Sequence, residues 1–211
     1  MSGDATTADG QQPWPDPAGR GEQERGGVPY AQVHRAQRRL QDLLTGAALP
    51  PSVAGDVTAR LAELAELCAL HQVSEHDRLD GMRPDLPGRG HPMLPPYVVD
   101  SQEPGHIRGR VTFGRFHLGG NGVVHGGVQP LLFDDVLGMA VNRGFDGVAR
   151  TAYLHVDYRW VTPIDVELTF EATRDSVDGR KRYGSGRLLD PSGRVLSKAE
   201  ALFVQLLPGQ P

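Results

Sequence analysis

The spacing of apolar residues in the first third of the chain is helical. Two sets recur three or four residues apart, namely Val33, Ala36, Leu40, Leu43 and Leu44, and then Val53, Val57, Leu61, Leu64 and Cys68. Gly46 suits the end of the first helix, and Pro50 and Pro51 suit the start of the second. The pattern predicts a helical hairpin over residues 29–73. Cys68 lies on its apolar stripe and is expected to be buried.

After Pro96 the apolar period changes to two, which is typical of half-buried strands. Ile107, Val111 and Phe113 share one face of HIRGRVTFG, and ARTAYLHVDYRWV alternates in the same way. Two further strands flank Asp178-Gly179, a dipeptide favoured in hairpin turns, and VLSKAEALFVQLL is the last strand. The one helical segment between these strands, around residues 131–141, is apolar on nearly every side. Strands with a single segregated helix predict an α+β domain whose sheet wraps that helix.

Composition divides the chain into four segments. Residues 1–28 are rich in Gly, Pro and polar side chains and are predicted to be a disordered tail. The hairpin over 29–73 is followed by a Pro/Gly-rich segment, 74–96, which is either a functional covering loop or disorder. The main domain spans 97–207. The opening residues lack the features of a secretory signal, and no run of about 18 apolar residues occurs, so neither secretion nor a membrane partner is expected.

The charge and the cysteine count limit the classes of function. A net charge of -4 with no large basic patch argues against a nucleic-acid partner. The single cysteine excludes an internal disulfide and fits a cytoplasmic protein. The eight histidines lack metal-ligand spacing, and no phosphate-binding glycine motif is present. We therefore expect no metal site and no nucleotide cofactor.

The stretch NGVVHGGVQPLLFDDVLG, residues 121–138, carries the candidate chemistry. Gly126 and Gly127 remove side chains where the apolar helix begins, so a ligand can approach the unsatisfied backbone N–H groups there. Aimed at a carbonyl oxygen, these donors would stabilise the oxyanion of an acyl-transfer intermediate. The alternative is a two-glycine turn that only leads into the helix.

The same helix holds two adjacent acids, Asp134 and Asp135. Asp134 follows His125 by nine residues, about 13.5 Å along a helix, so the two cannot serve one reacting atom in one subunit. If Asp134 acts on a carbonyl held at the glycines, those glycines belong to a neighbouring copy of the chain. Asp135 points about 100° away and is the better candidate for a structural ion pair, with Arg143 or Arg150 as its partner.

The combination HGGxxxxLxDxxxG, formed by His125, Gly126, Gly127, Leu132, Asp134 and Gly138, resembles the hotdog-fold acyl-CoA thioesterases of the phenylacetate-pathway and 4-hydroxybenzoyl-CoA type. The resemblance covers about residues 97–206. It implies a helix wrapped in an antiparallel sheet, paired into homodimers and often into homotetramers. It further implies that the Gly126 N–H polarises the thioester carbonyl while Asp134 of the partner acts as nucleophile or general base. Coenzyme A enters only as part of the substrate.

One position departs from that family. Its orienting asparagine stands six residues before the motif histidine, where this chain has Gly119, whereas Asn121 stands four before it. Asn121 either fills the role through a shifted loop or the role is missing. His125 either contacts substrate or fixes the loop.

Two further groups are candidates for substrate binding. Thr151 and Tyr153 fall near the place where related enzymes put a hydroxyl that orients water, and the alternative is an ordinary polar sheet face. Arg180, Lys181 and Arg182 could hold coenzyme A phosphates, and the alternative is a solvated turn.

The sequence therefore predicts a homo-oligomeric hydrolase that cleaves an acyl-CoA thioester to free acid and coenzyme A at a site shared between two subunits. The competing function is a hotdog module that binds acyl-CoA without turning it over, and turnover on thioesters separates the two.

Overall fold

The computed structural model describes residues 26–145 and 147–210. The predicted tail lies outside the described residues except for residues 26–28, and the first helix already begins at Gly27. The helices are α1 (Gly27–Thr45), α2 (Pro51–Ala69) and α3 (Val128–Asn142). The strands are β1 (Tyr97–Glu103), β2 (His106–Thr112), β3 (Leu118–Gly120), β4 (Val123–Val124), β5 (Ala149–Tyr158), β6 (Glu167–Asp178), β7 (Lys181–Leu189) and β8 (Val195–Gln205).

Six strands form one antiparallel sheet in the order β1-β2-β6-β7-β8-β5, and β3 pairs with β4 in a separate hairpin. This confirms the predicted α+β class, with one helix packed on an antiparallel sheet. In the described part of the chain β5 pairs only with β8, so its other side is a free sheet edge.

The central helix α3 is almost completely enclosed. Leu132, Phe133, Val136 and Leu137 are fully buried against the sheet. Gly186 of β7 makes this packing possible, because a β carbon there would lie 3.0 Å from the Phe133 ring. The sheet and the helix therefore share one apolar core, as the uninterrupted apolar character of residues 131–141 predicts.

The segment between α2 and β1 is packed rather than loose in its second half, where Arg83, Leu86, Gly88 and Gly90 are buried. Arg38 of α1 holds it by donating hydrogen bonds to the carbonyl oxygens of His91 (3.0 Å) and Leu94 (2.9 Å). Of the two alternatives for this segment, the structure therefore favours a covering loop. The boundaries of the four segments stay predictions.

None of the residues of α2 is buried, although one face carries Leu61, Leu64 and Leu67. Cys68 is exposed, which corrects the expectation that it lies in a core. The spacing that predicts an amphipathic helix is present, but the described residues supply no surface that covers its apolar face.

His117, just before β3, lies between the rings of Phe113 and Phe116, and neither of its ring nitrogens has a hydrogen-bond partner within the described residues. Burial, and secondarily the charge of Arg38, lower the pKa of His117 to about 4, an effect that Asp42 opposes. Burial also lowers the pKa of His34 in α1.

We expect acid to destabilise the fold through His117. Unfolding returns its pKa to about 6.5, so the stability contributed by the neutral ring is complete above pH 6.5 and is lost as the pH falls toward 4. Urea unfolding at pH 7 and pH 5 should show a smaller loss of stability in His117→Phe than in wild type. An equal loss in both proteins would contradict this role of His117.

Candidate active site

The two adjacent acids of α3 point to opposite environments. Asp134 is exposed, whereas Asp135 is 7% exposed. Successive residues of a helix are rotated by about 100°, so one carboxylate reaches solvent while the next enters the core. A buried carboxylate needs charged or hydrogen-bonding partners, and an exposed one is free to meet a ligand.

Asp135 is held by a bidentate ion pair and a phenol. Arg89 donates to its two oxygens at 3.0 and 2.5 Å, and the Tyr97 hydroxyl donates to one of them. Burial and the negative charge of Asp135 together raise the pKa of Tyr97 well above its ordinary value, so the phenol stays protonated as a donor. Asp135 thus has the structural role predicted for it.

The arginine that pairs with Asp135 is Arg89, not Arg143 or Arg150. It lies in the covering loop in a left-handed conformation, with φ 55° and ψ 26°, between Gly88 and Gly90, which also have positive φ. Sequence analysis missed it because the contact spans 46 residues. The Gly-Arg-Gly tripeptide in a Pro-rich loop is the signal that could have drawn attention to it.

Asp134 has one hydrogen-bond partner in the part of the chain that is described. The hydroxyl of Thr151, near the start of β5, donates to its Oδ1 at 2.7 Å. The second carboxylate oxygen has no hydrogen-bond partner within the described residues and lies on an exposed surface. The structure thus brings together two predicted site residues. Tyr153 is exposed on the same strand beyond a bulge at residue 152.

The turn before α3 holds its backbone groups in fixed positions. The Gly127 N–H donates to Nδ1 of His125 at 3.1 Å, and the Val128 N–H donates to the His125 carbonyl oxygen at 2.9 Å. The Tyr158 hydroxyl, at the end of β5, donates to the Gly126 carbonyl oxygen at 2.6 Å. Across residues 26–145 and 147–210, only the Gly126 N–H of this turn is left without an acceptor. It is therefore a fixed donor at the positive end of a helix.

His125 has its ring tautomer set by this turn. Because Nδ1 accepts from Gly127, the hydrogen of the neutral ring is on Nε2. The ring therefore fixes the loop and also presents a donor at an exposed position. Fixing the loop and contacting a substrate, the two alternatives for His125, are therefore compatible in this geometry.

Asn121 lies at the tip of the β3–β4 hairpin with φ 49°, followed by Gly122 with φ 72°. Asparagine and glycine suit such a turn, which accounts for Asn121 without any catalytic role. It lines the same surface hollow as His125 and Gly126, so its role as a site residue stays a prediction. At Gly119 a β carbon would lie 2.8 Å from the His125 α carbon, so this backbone has no room for an asparagine there.

The three basic residues beside the β6–β7 turn differ in exposure. Arg180 and Lys181 are exposed. Arg182 is 1% exposed and donates to Asn142 Oδ1 (2.7 Å) at the end of α3 and to Gln205 Oε1 (3.1 Å). The prediction that Arg182 binds coenzyme A phosphates is therefore corrected, because its guanidinium is enclosed and ties α3 to the sheet.

The two halves of the site are attached to opposite ends of β5. Thr151 contacts Asp134 near its start, and Tyr158 contacts Gly126 at its end. The helical part of the path alone, from Val128 to Asp134, spans about 9 Å. Gly126 and Asp134 are therefore well separated along the helix axis within one chain. Sequence analysis missed Tyr158, which looked like one aromatic position of an alternating strand.

Within the described residues no group of three His, Cys, Asp or Glu side chains is placed to hold a metal ion. None of the described helices combines the length and apolar character needed to cross a membrane.

No protein-family model matches the chain. The crystal structure of protein RHA08564, a thioesterase superfamily protein, superposes with a TM-score of 0.72 at 31% identity, covering 83% of this chain and 94% of that one. Rat (Rattus norvegicus) acyl-coenzyme A thioesterase THEM4 is 31% identical over 100 residues, 46% of this chain and 43% of the rat protein. The chain thus spans less than half the length of this relative.

A more distant likeness concerns the fold alone. The protein smu.793 from Streptococcus mutans UA159, solved bound to acetyl CoA, has a TM-score of 0.50 at 17% identity, covering 54% of this chain and 91% of that one. The coverage and identity of the RHA08564 match are decisive. The chain belongs to the thioesterase superfamily and has its hotdog fold.

The Asp135–Arg89 pair predicts a large loss of stability on removal of the arginine. We expect Arg89→Met to lower the free energy of unfolding by about 3–5 kcal/mol, because it leaves a buried carboxylate without its cation. Urea unfolding monitored by circular dichroism measures the change. Arg110→Met is the matched control, since Arg110 pairs with Asp100 and Glu167 on the surface, and a much smaller effect is expected. Equal effects of the two substitutions would contradict the account.

Proposed function

We propose that this protein hydrolyses an acyl-CoA thioester, with the Gly126 N–H of one subunit and Asp134 of a second subunit acting on the same carbonyl group. The observation that carries the proposal is the attachment of these two groups to opposite ends of the free edge strand β5. The named activity of the rat relative and the acetyl CoA bound to the streptococcal protein support coenzyme A thioesters as the substrate class.

Antiparallel pairing of two copies of β5 would assemble the site. If the strands pair so that His155 stands opposite its own copy, Thr151 of one chain stands directly opposite Tyr158 of the other, because the bulge at residue 152 leaves both positions three ladder steps from His155. Opposite residues in an antiparallel ladder have α carbons about 4.5–5.5 Å apart. Asp134 of one subunit would then approach the Gly126 turn of the other. The pairing would also satisfy the free backbone groups of the β5 edge.

The chemistry follows from these positions. The thioester carbonyl oxygen accepts from the Gly126 N–H, and the helix terminus stabilises the negative charge that develops on it. One oxygen of Asp134 is occupied by Thr151, so the other attacks the carbonyl carbon or removes a proton from the attacking water. The carbon–sulfur bond breaks, and coenzyme A takes up a proton and leaves as its thiol. If Asp134 is the nucleophile, water then hydrolyses the mixed anhydride between Asp134 and the acyl group, so one water is consumed for each acid released in either route.

Other predicted contacts belong to this proposal. Lys181 of β7 and Arg150 of β5 both pair with Val204 of β8, which lies between them. The two basic residues therefore stand in one row across the sheet, at the end of β5 that carries Thr151. With Arg180 they would place positive charge beside the Asp134 half of the site, where it can attract coenzyme A phosphates. Asn121 and Tyr153 are further candidate contacts, and a dimer is the smallest assembly that completes the site.

The test is release of free thiol from a panel of aromatic and aliphatic acyl-CoAs. We expect Asp134→Asn to lower kcat by about 10³-fold or more, because it removes the charge that attacks or activates water. Thr151→Val should cause a smaller loss, since it only frees the carboxylate that the hydroxyl orients.

The matched control is Asp175→Asn, which alters another exposed carboxylate bonded to a hydroxyl, that of Ser185 at 2.9 Å. It should leave turnover unchanged. Wild-type turnover in Asp134→Asn would refute the assignment of the acid. Binding of coenzyme A esters without turnover of any of them would point instead to the non-catalytic module.

A further inference from the structure

Gln129 is a buried polar side chain that the proposed reaction does not use. It lies in the first turn of α3 and is 3% exposed. Its Oε1 has no hydrogen-bond partner within residues 26–145 and 147–210. An unpaired buried amide oxygen is costly, and an apolar side chain of similar size would avoid that cost. The fold alone therefore gives no reason for glutamine at this position.

The surroundings of Gln129 point toward the site. It lines a hollow of about 360 Å³, the Gln129 hollow, whose walls include Val124, Tyr158, Trp160 and Val161. Gly126, with its free N–H, and Thr162 line the same hollow. Thr162 is fully buried, and its Oγ1 also lacks a partner in the described residues. Arg159 lines the hollow as well, and the rest of the wall is mostly apolar. Two unpaired polar atoms are thus buried in the wall of this hollow, which the proposed carbonyl donor also lines.

The distances along the chain are short. Gln129 follows Gly126 by three residues, less than one helical turn, so the two backbone positions are about 4.5 Å apart along the helix axis. The last torsion of a glutamine side chain is soft, so the amide turns easily toward a group that enters the hollow. A substituent a few bonds from a thioester carbonyl held at Gly126 would reach it.

We propose that Gln129, together with Thr162, is a specificity-determining contact that selects acyl groups carrying a hydrogen-bonding substituent, such as a hydroxyl, close to the thioester. This inference rests on the proposed thioester hydrolysis. A purely aliphatic or unsubstituted aromatic acyl group would fill the apolar walls but leave both polar side chains unpaired. Sites built around a hydrogen bond discriminate strongly against the analogue that lacks the partner group.

The amides of the pantetheine arm offer the same hydrogen-bonding chemistry, and they are present in every coenzyme A ester. A contact to pantetheine would affect all substrates equally. A contact to the acyl group affects only those that carry the substituent. Two substrates that differ by one hydroxyl therefore distinguish a contact to pantetheine from a contact to the acyl group. The ratio of their kcat/KM values depends on Gln129 only if the contact is to the acyl group.

The experiment compares 3-hydroxybutyryl-CoA with butyryl-CoA, and 2-hydroxybenzoyl-CoA with benzoyl-CoA. We expect wild type to prefer at least one hydroxylated member by about 10-fold or more, and Gln129→Leu to abolish that preference. The apolar member of the pair should be turned over at least as well by the variant. Gln102→Leu is the matched control, because Gln102 Oε1 is also unpartnered but lies on β1, at the opposite edge of the sheet from β5. It should keep the wild-type ratio.

Thermal unfolding of the same variants separates a structural role from a functional one. The proposal is supported if Gln129→Leu has a higher Tm and no longer prefers the hydroxylated substrates. Glutamine would then reduce the stability of the fold while providing substrate selectivity. An unchanged ratio, or an equal loss on every substrate, would overturn it. If wild type turns over no thioester, the proposed hydrolysis fails, and the Kd values of the same pairs then decide whether Gln129 still selects the hydroxyl.

Discussion

The buried ion pair between Asp135 and Arg89 is the contact on which the arrangement of the central helix depends. It joins α3 to the covering loop, and Tyr97 adds the first strand of the sheet to the same carboxylate. Arg38 in turn fixes that loop to α1. The N-terminal region is therefore part of the support for α3, and through it for the neighbouring Asp134. Because the pair is enclosed, its partners cannot separate without leaving a charge in the core.

In the proposed mechanism, that support leaves a site that needs two chains to complete it. Asp134 and the Gly126 turn are each well positioned, one by Thr151 and the other by His125 and Tyr158. The rigid helix between them keeps them too far apart to share a carbonyl group. The free edge of β5 supplies a symmetric way to complete the site, since antiparallel pairing exchanges the two ends of the strand. The same geometry makes assembly and catalysis inseparable in the proposed mechanism.

Much of the fold and of the candidate site could be predicted from local sequence patterns. Periods of two in residues 106–113 and 149–161 mark strands, and the 100° rotation between Asp134 and Asp135 separates their roles. The motif at His125 identifies the donor turn. Arg89 and Tyr158 could not be found in this way, because each acts through a tertiary contact that spans more than 30 residues. Gln129 could not be singled out because it stands in an apolar run. The exposure of Cys68 depends on which surface packs beside α2, and the spacing of apolar residues along a helix does not specify that surface.

Mixed subunits test the shared site most directly. Asp134→Ala removes the acid, and Gly126→Pro removes the backbone donor at a position where a β carbon would meet only the Tyr158 side chain, whose hydroxyl oxygen would lie 3.7 Å away. Each variant alone should be inactive. When equal amounts are unfolded together and reassembled, half of the dimers are mixed and each has one intact site, so about a quarter of wild-type thiol release should return. No recovery, with mixed oligomers demonstrated by mass, would contradict a site shared between two chains.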